Sequence, residues 1–487
     1  VAGVRALRDA PPSVAEPTVA RRQAWHGSRA GHRLMLPIAA AVAVAGGVAA
    51  GTDQGLTLRI IVGGAVVCLV IAGTIAAPIA AARVLMVVFG AAPMAVVPGL
   101  ALPLFVFVVL GLWFIVISRP WASRHIHGIE VAVLLLVATT VTSAIITDNG
   151  GRAEYELVKW ILTTSVVFVF GFLSAEELRA LGRAFVIGAS IGMAFALSVM
   201  AFDPGAGAMN ALSLIGYGRT GSTGTHVRTF ESVSGDIVRL TGTYVDPNLA
   251  GLFALVALVL VPVLFGGAAR AIMAAILLAG AFATLSRSAL LSLVVAVVAY
   301  LMFARVSRIT RARIACALLT VTAASLALTS VRERVFGSFG SGDRGSDDRG
   351  AALTNFMPSM SGHWWFGRGF GAPEFTDEVA GWKVNYVANA PLLTTYRAGW
   401  VVGVAFSVVL IVGIVWSYRL LRRGTPSSGV VGAGFIGFSL VALQLDFPVV
   451  TNPPITLLFS IFLGYVIVAP RLRTSPTPSA VSSQESR

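Results

Sequence analysis

Charge is scarce in this sequence: Asp, Glu, Lys and Arg together make up only 12% of 487 residues. Lysine is confined to Lys159 and Lys383, so arginine carries nearly all the positive charge. Cysteine occurs only at Cys68 and Cys316, both inside apolar runs, so neither a disulfide framework nor a cysteine-based metal site is readable. No phosphate-binding P-loop, no dinucleotide fingerprint and no His/Asp/Glu cluster with metal-ligand spacing is found. What the chain does have is apolar surface: 56% hydrophobic residues and a mean hydropathy of +0.84. That composition excludes a soluble domain. The net charge of +14 would suit nucleic acid. In a chain this greasy, arginines that hold cytoplasmic loops in place explain it better, and no nucleic-acid partner is expected.

A span needs about 20 apolar residues. Such runs lie near 34–52, 58–77, 84–98, 101–118, 129–147, 157–173, 183–201, 247–265, 268–284, 288–304, 313–329, 398–417, 428–445 and 455–469. The third is weak, and "PGLALP" after it suits a re-entrant bend. The fold class expected is an all-α polytopic membrane protein of about 12–14 transmembrane helices. Orientation follows from arginine. The tail with Arg21, Arg22, Arg29 and Arg33, the gaps "SRPWASRHIHG", "SAEELRALGR", "ARVSRITRAR" and "YRLLRRG", and the end with Arg471 and Arg473 all fall on one side. That side is the cytoplasm by the positive-inside rule. The Arg-rich start and "VAA" fit a cleaved signal loosely, but the alternation requires the first span to be kept.

The expected organisation is a cytoplasmic tail (1–33), N-terminal spans (34–201), an exterior loop (202–246), central spans (247–329), a larger exterior loop (330–397), C-terminal spans (398–470) and a disordered cytoplasmic tail (471–487). The unusual chemistry collects outside. "RLTGTYVDPNLAG" (239–251) sets Arg239, Asp246 and Asn248 against the start of a greasy run, and "TLSRS" (284–288) sets Arg287 at the outer end of another. Charge beside a bilayer is costly and marks either a partner or a task. The bland accounts are snorkelling for Arg287 and helix capping for Asp246, with Pro247 in the first turn. In the later loop, Trp364 and Trp365 can stack on sugars or anchor at the interface. "FGRGFG" (366–371) permits tight turns that can bring amides to a phosphate, and Arg344 and Arg349 flank Asp347 and Asp348.

The order Arg239, Gly242, Asp246-Pro247-Asn248, then "TLSRS", "SDDRGAAL" (346–353), "WWFGRGFG" (364–371), "ANAPLL" (388–393) and "YRAGWVVG" (396–403) resembles the O-antigen ligase/polymerase family. The likeness covers roughly 180–445, and the earlier spans resemble the family only as hydrophobic segments. It implies a GT-C-like glycosyltransferase in the cytoplasmic membrane, with its active site outside. There no nucleotide is at hand, so the donor is a polyprenyl-pyrophosphate-linked glycan. The other implied partners are a glycan acceptor, membrane lipids and further envelope polysaccharide assembly proteins, and no cofactor or metal is called for. The resemblance gives Arg239 and Arg287 the growing charge of the pyrophosphate, which arginine's planar fork suits. Asn248, Arg349, Arg368, Asn389, Trp364 and Trp365 are the candidate substrate-binding residues. Ligases of the family carry a His-Asn pair ahead of a glycine; here Asn389 and Gly399 are kept but Ala388 replaces the histidine. That departure favours a polymerase over a ligase. His363, Asp246, Asp348, Glu374 and Asp377 are the remaining candidate bases. A glycan transporter or flippase is the alternative of another class, though no internal repeat or midplane charge supports it. A scaffold would leave the exterior arginines unexplained.

Overall fold

The computed structural model describes residues 56–98, 102–120, 124–147, 151–203, 207–217, 228–232, 235–327, 332, 344–370, 389–444 and 453–472. The first expected span, the N-terminal tail, all of the C-terminal tail beyond Leu472, Ala388, Glu374 and Asp377 lie outside these residues; Arg471 and Leu472, expected as disordered tail, close a short 3-10 turn. Among the described residues, six helices precede the 203–246 segment: α1 Leu56–Ala76, α2 Pro78–Ala91, α3 Phe105–Ile117, α4 Gly128–Thr147, α5 Gly151–Phe170 and α6 Ala175–Phe202. A small antiparallel hairpin follows, β1 Arg228–Ser232 and β2 Gly235–Arg239, with Arg228 opposite Arg239. The central set is α7 Pro247–Leu264, α8 Gly267–Ala283, α9 Arg287–Phe303 and α10 Arg308–Ala327. Then come α11 Arg344–Ser359, the short α12 Ala390–Ala398, α13 Trp400–Arg423, α14 Pro426–Gln444 and α15 Pro453–Val468.

Every expected span within the described residues overlaps a helix. Six of them (α4, α6, α7, α13, α14 and α15) are long and apolar enough to cross a membrane, and α1, α2, α3, α8 and α9 are shorter apolar helices. The chain is thus an all-α polytopic bundle. Boundaries differ from expectation where charge or proline opens a helix. The run read as 84–98 is a helix from Pro78 to Ala91, since proline is pre-organised for the first turn. Beyond it the chain folds back, with Val96 bridged to Pro103. The polar stretch 174–183 was expected as loop, yet α6 starts at Ala175. Ser174 and Glu177 form a reciprocal capping box there, which satisfies two otherwise orphaned N–H groups.

Helices α7 and α15 form the centre: 83% and 89% of their apolar windows are buried. Both are hydrophobic all round, as a helix with no solvent or lipid face should be. Around them α4, α6 and α13 keep bare Leu, Ile and Val side chains, such as Leu134, Ile191 and Val404, on their outer faces.

Close glycine contacts fix the relative directions of the helices. An added Cβ at Gly437 of α14 would lie 2.1 Å from Ser292 O of α9, and Gly429 faces the Tyr300 ring, so α9 and α14 run antiparallel. Gly432 likewise backs onto Ser417 O, and Gly413 onto the Phe435 ring, which makes α13 antiparallel to α14. The starts of α9 and α13 therefore share one end of the bundle. The start of α7 joins them through the Asn248–Ser286 bond. The other end is tied by Arg183 Nε donating to Leu264 O (2.9 Å), Tyr465 OH to Leu178 O (2.8 Å) and Arg471 to Gly171 O (3.2 Å). There also lie the Arg119–Glu177 and Arg124–Glu130 pairs and the Phe303–Tyr418 ring contact. The arginine-rich gaps thus gather at one end, and the motif residues at the other.

Candidate active site

Two helices begin side by side at the motif end, and each is capped by its own preceding residue. Asp246 Oδ1 accepts from the N–H groups of Asn248 (2.8 Å) and Leu249 (3.1 Å) at the start of α7. Ser286 Oγ accepts from Ala289 N at the start of α9. The residue before each cap has a positive φ: Val245 at 65° and Leu285 at 49°. Branched side chains disfavour that region, at a cost of about 1–3 kcal/mol each, and it persists only where surrounding contacts enforce it. Thr284 supplies such contacts, its Oγ1 donating to Ala281 O and accepting from Ser286 N. On the other side, Tyr244 is fully buried and its hydroxyl donates to Gly90 O. Burial pushes its phenol far above the usual range, so it remains a neutral donor. Gly242 must lack a side chain, with φ at +50° and Ala196 Cβ 2.5 Å from where its own Cβ would stand.

Between the two helix starts sits Asn248. Its Oδ1 accepts from Ser286 Oγ (2.9 Å) and from Arg239 Nη2 (3.5 Å). Arg239 Nε donates to Thr284 O (3.1 Å), and the backbone of the next residue, Leu240, donates to Ala283 O (3.0 Å). Arg239 is thereby drawn from the end of the hairpin onto the α8–α9 junction. Arg287 occupies the first helical position of α9 and is half-buried. A cation at a helix N-terminus opposes the helix dipole. Two arginines beside two such termini favour an anion, with the Asp246 carboxylate at the start of α7 beside them.

The later motif residues build a second assembly. Arg368 N donates to Tyr396 O and Gly369 N to Arg397 O, each at 2.8 Å, while Trp400 N donates to Trp364 O at 2.9 Å. Ser143 Oγ of α4 donates to Phe366 O at 2.9 Å. Gly367 and Gly399 have positive φ, and a Cβ at Gly399 would stand 1.9 Å from Trp365 O. The glycines of "FGRGFG" therefore seat one backbone upon another. This accounts for the amides of Arg368 and Gly369, which the expectation had offered to a phosphate. Asn389 caps α12 by accepting from Leu392 N, and its Nδ2 donates to Leu443 O. Arg368 Nε donates to Ser359 O (2.6 Å). Trp365 is exposed and meets Trp400 edge-on at 5.4 Å, and Trp364 meets Phe356 at 6.3 Å. His363 is exposed in the same loop. Arg349 lies on α11.

The structure thus brings Arg239, Asp246, Asn248 and Arg287 together, and separately Trp364, Trp365, His363 and Arg368, all at one end of the bundle. Sequence reasoning quoted "TLSRS" for its arginine and passed over Thr284 and Ser286, both buried and central to the first assembly. Ser286 immediately before an apolar helix was a legible N-cap signal. No curated protein matches the chain. Residues 272–391, which take in Thr284, Ser286, Arg287, Arg349, the Trp-Gly loop and Asn389, match the family described as O-Antigen ligase.

Proposed function

We propose that this protein is a glycosyltransferase that moves a glycan from a polyprenyl-pyrophosphate carrier to an acceptor sugar hydroxyl on the outer side of the cytoplasmic membrane. The observation that carries the reading is the Arg239–Asn248–Ser286 assembly between two capped helix starts, with Arg287 on one of them. In the reaction the acceptor oxygen bonds to the anomeric carbon and the bond from that carbon to phosphate breaks. The pyrophosphate leaves on its lipid with added negative charge, and the hydroxyl proton passes to a base or to the departing phosphate. Arg239 and Arg287 would stabilise that charge, and stabilisation that grows toward the transition state accelerates the step. Asn248 and Ser286 would hold Arg239 in position. Asp246 Oδ1 accepts from two amides and so serves the helix start, and His363 is an exposed imidazole among the described residues of this end. No metal is needed in this scheme, since the arginines neutralise the leaving group.

The acceptor is another lipid-linked repeat unit, which makes the enzyme polymerase-like; Ala388 in the ligase histidine position supports this. Ligase-like transfer to a lipid acceptor is the second reading, favoured by the family description over 272–391. Purified protein with a lipid-linked oligosaccharide decides between them: a ladder of lengths marks a polymerase, and a single addition to an added lipid acceptor marks a ligase. Loss of neither product in Arg239→Ala and Arg287→Ala would falsify the transferase reading and move a glycan transporter ahead of it. Sidedness has its own test. With Cys68 and Cys316 replaced by serine, an impermeant thiol reagent on intact cells should label Ser361→Cys and spare Ser307→Cys.

A further inference from the structure

The arginine-rich end is not uniform. Beneath α3, α4 and α6 its arginines are matched within the protein: Arg119 with Glu177, Arg124 with Glu130, Arg183 with Leu264 O and Arg471 with Gly171 O. Across the bundle, the α9–α10 turn and the α13–α14 turn are brought together by the Phe303–Tyr418 contact and by Ala304, Leu421 and Ala433 packing as one cluster. These turns expose Arg308, Arg311, Arg313, Arg419, Arg422 and Arg423. There is no Asp or Glu anywhere in 287–332 or 400–444, the segments that build all four helices concerned. Among the described residues, none of the ion pairs includes any of the six, and Arg311 Nη2 donates only a 3.3 Å bond to Ala304 O.

We propose that the joined α9–α10 and α13–α14 turns form a binding surface for the phosphate headgroups of anionic phospholipids. Charge complementarity asks for an anion. The setting asks for a lipid, because the same helices carry bare apolar side chains at and just above the arginines: Met302 at 63% exposure, Ile309 at 67% and Ile411 at 58%. Such a surface is greasy on its flank and cationic at its rim, as the boundary between acyl chains and headgroups requires. Arginine matches phosphate with two parallel N–H donors. A lipid carrying two phosphates can span both turns and lock the ends of α9 and α13 together.

The test uses the full-length protein in nanodiscs, of phosphatidylcholine alone or mixed with phosphatidylglycerol or cardiolipin, with co-purifying lipid measured by native mass spectrometry. Anionic lipid should be retained in preference to phosphatidylcholine, and should raise the melting temperature. Neutralising the patch (Arg308→Gln, Arg311→Gln, Arg422→Gln and Arg423→Gln together) should cut that retention by roughly several hundredfold, at about fivefold per arginine removed. The corresponding four lysine substitutions should keep part of it, and the single Arg422→Gln serves if the fourfold glutamine variant is poorly folded. Equal retention of phosphatidylcholine, or undiminished anionic-lipid retention after neutralisation, would overturn the proposal. So would a patch that answers to inorganic phosphate without lipid, or one taken up by an acidic protein in lipid's place. The inference rests on the membrane bundle and reads no transfer activity, so its failure would leave the proposed function standing.

Discussion

The two assemblies at the motif end use similar residues to opposite purposes. Around Arg239, side chains meet side chains: a guanidinium, an amide and a hydroxyl converge between two helix starts. In the Trp-Gly loop, backbone meets backbone, and Gly367, Arg368, Gly369 and Trp400 spend their amides on His363, Tyr396, Arg397 and Trp364 carbonyls. The first arrangement is a cluster of polar side chains; the second joins loop to helix through main-chain bonds. Both assemblies contain an arginine, and what each arginine and its neighbouring amides bond to is what separates them.

The contrast predicts that the Trp-Gly loop fails by unfolding and the polar cluster by losing turnover. The largest effect is expected for Gly399→Ala. Its Cβ would strike the Trp365 carbonyl at a backbone angle that alanine resists, costing about 3 kcal/mol or more. The readout is membrane abundance and melting temperature, and a stable, abundant variant would dissolve the distinction. Next comes Arg239→Ala. A charge-assisted bond is worth about 1.5–3 kcal/mol, so turnover should fall about tenfold to a few hundredfold at matched abundance. Arg287→Ala should behave alike, and lysine should rescue either only in part. If Arg287→Lys is silent while Arg287→Ala is mild, that side chain only reaches for the interface. Asn389→Ala should cost about 1 kcal/mol of stability, as lost N-caps do, with turnover per folded molecule unchanged. A fall in turnover without loss of stability would return Asn389 to substrate binding. The smallest effect is expected from chelation: activity should survive EDTA. A requirement for added Mg²⁺ or Mn²⁺ would bring Asp347 and Asp348 under suspicion.

Much of the fold was legible because a membrane span is written in plain composition. The errors fall where helices start in charge. Arg308, Arg311 and Arg313 were read as loop before a span at 313, yet they form the opening turns of α10. A hydropathy window discounts the arginines that a helix end at the membrane surface accepts without cost. At the site, Asp246-Pro247 announced its helix from the residues alone, since capping is a local property. The bond from Arg239 to Thr284 O joins positions 45 apart in sequence. No local pattern encodes it. Nor could the glycine spacing of 366–371 reveal whether it served an anion or a neighbouring backbone, because both need the same freedom at φ.

The burial of α15 bears on how the molecule is made. A chain threaded into the membrane from its N-terminus releases its helices in order, and α15 is the last of the described helices to arrive. Yet it is a centrepost, packed on α5 through Gly464 and Phe170 and on α6 through Tyr465 and Leu178. Until it enters, the earlier helices surround a vacancy that lipid must fill. Closure of the bundle is therefore a late event in biosynthesis. A nascent chain stalled before Pro453 would present quality-control proteases with an open ring of otherwise correct helices.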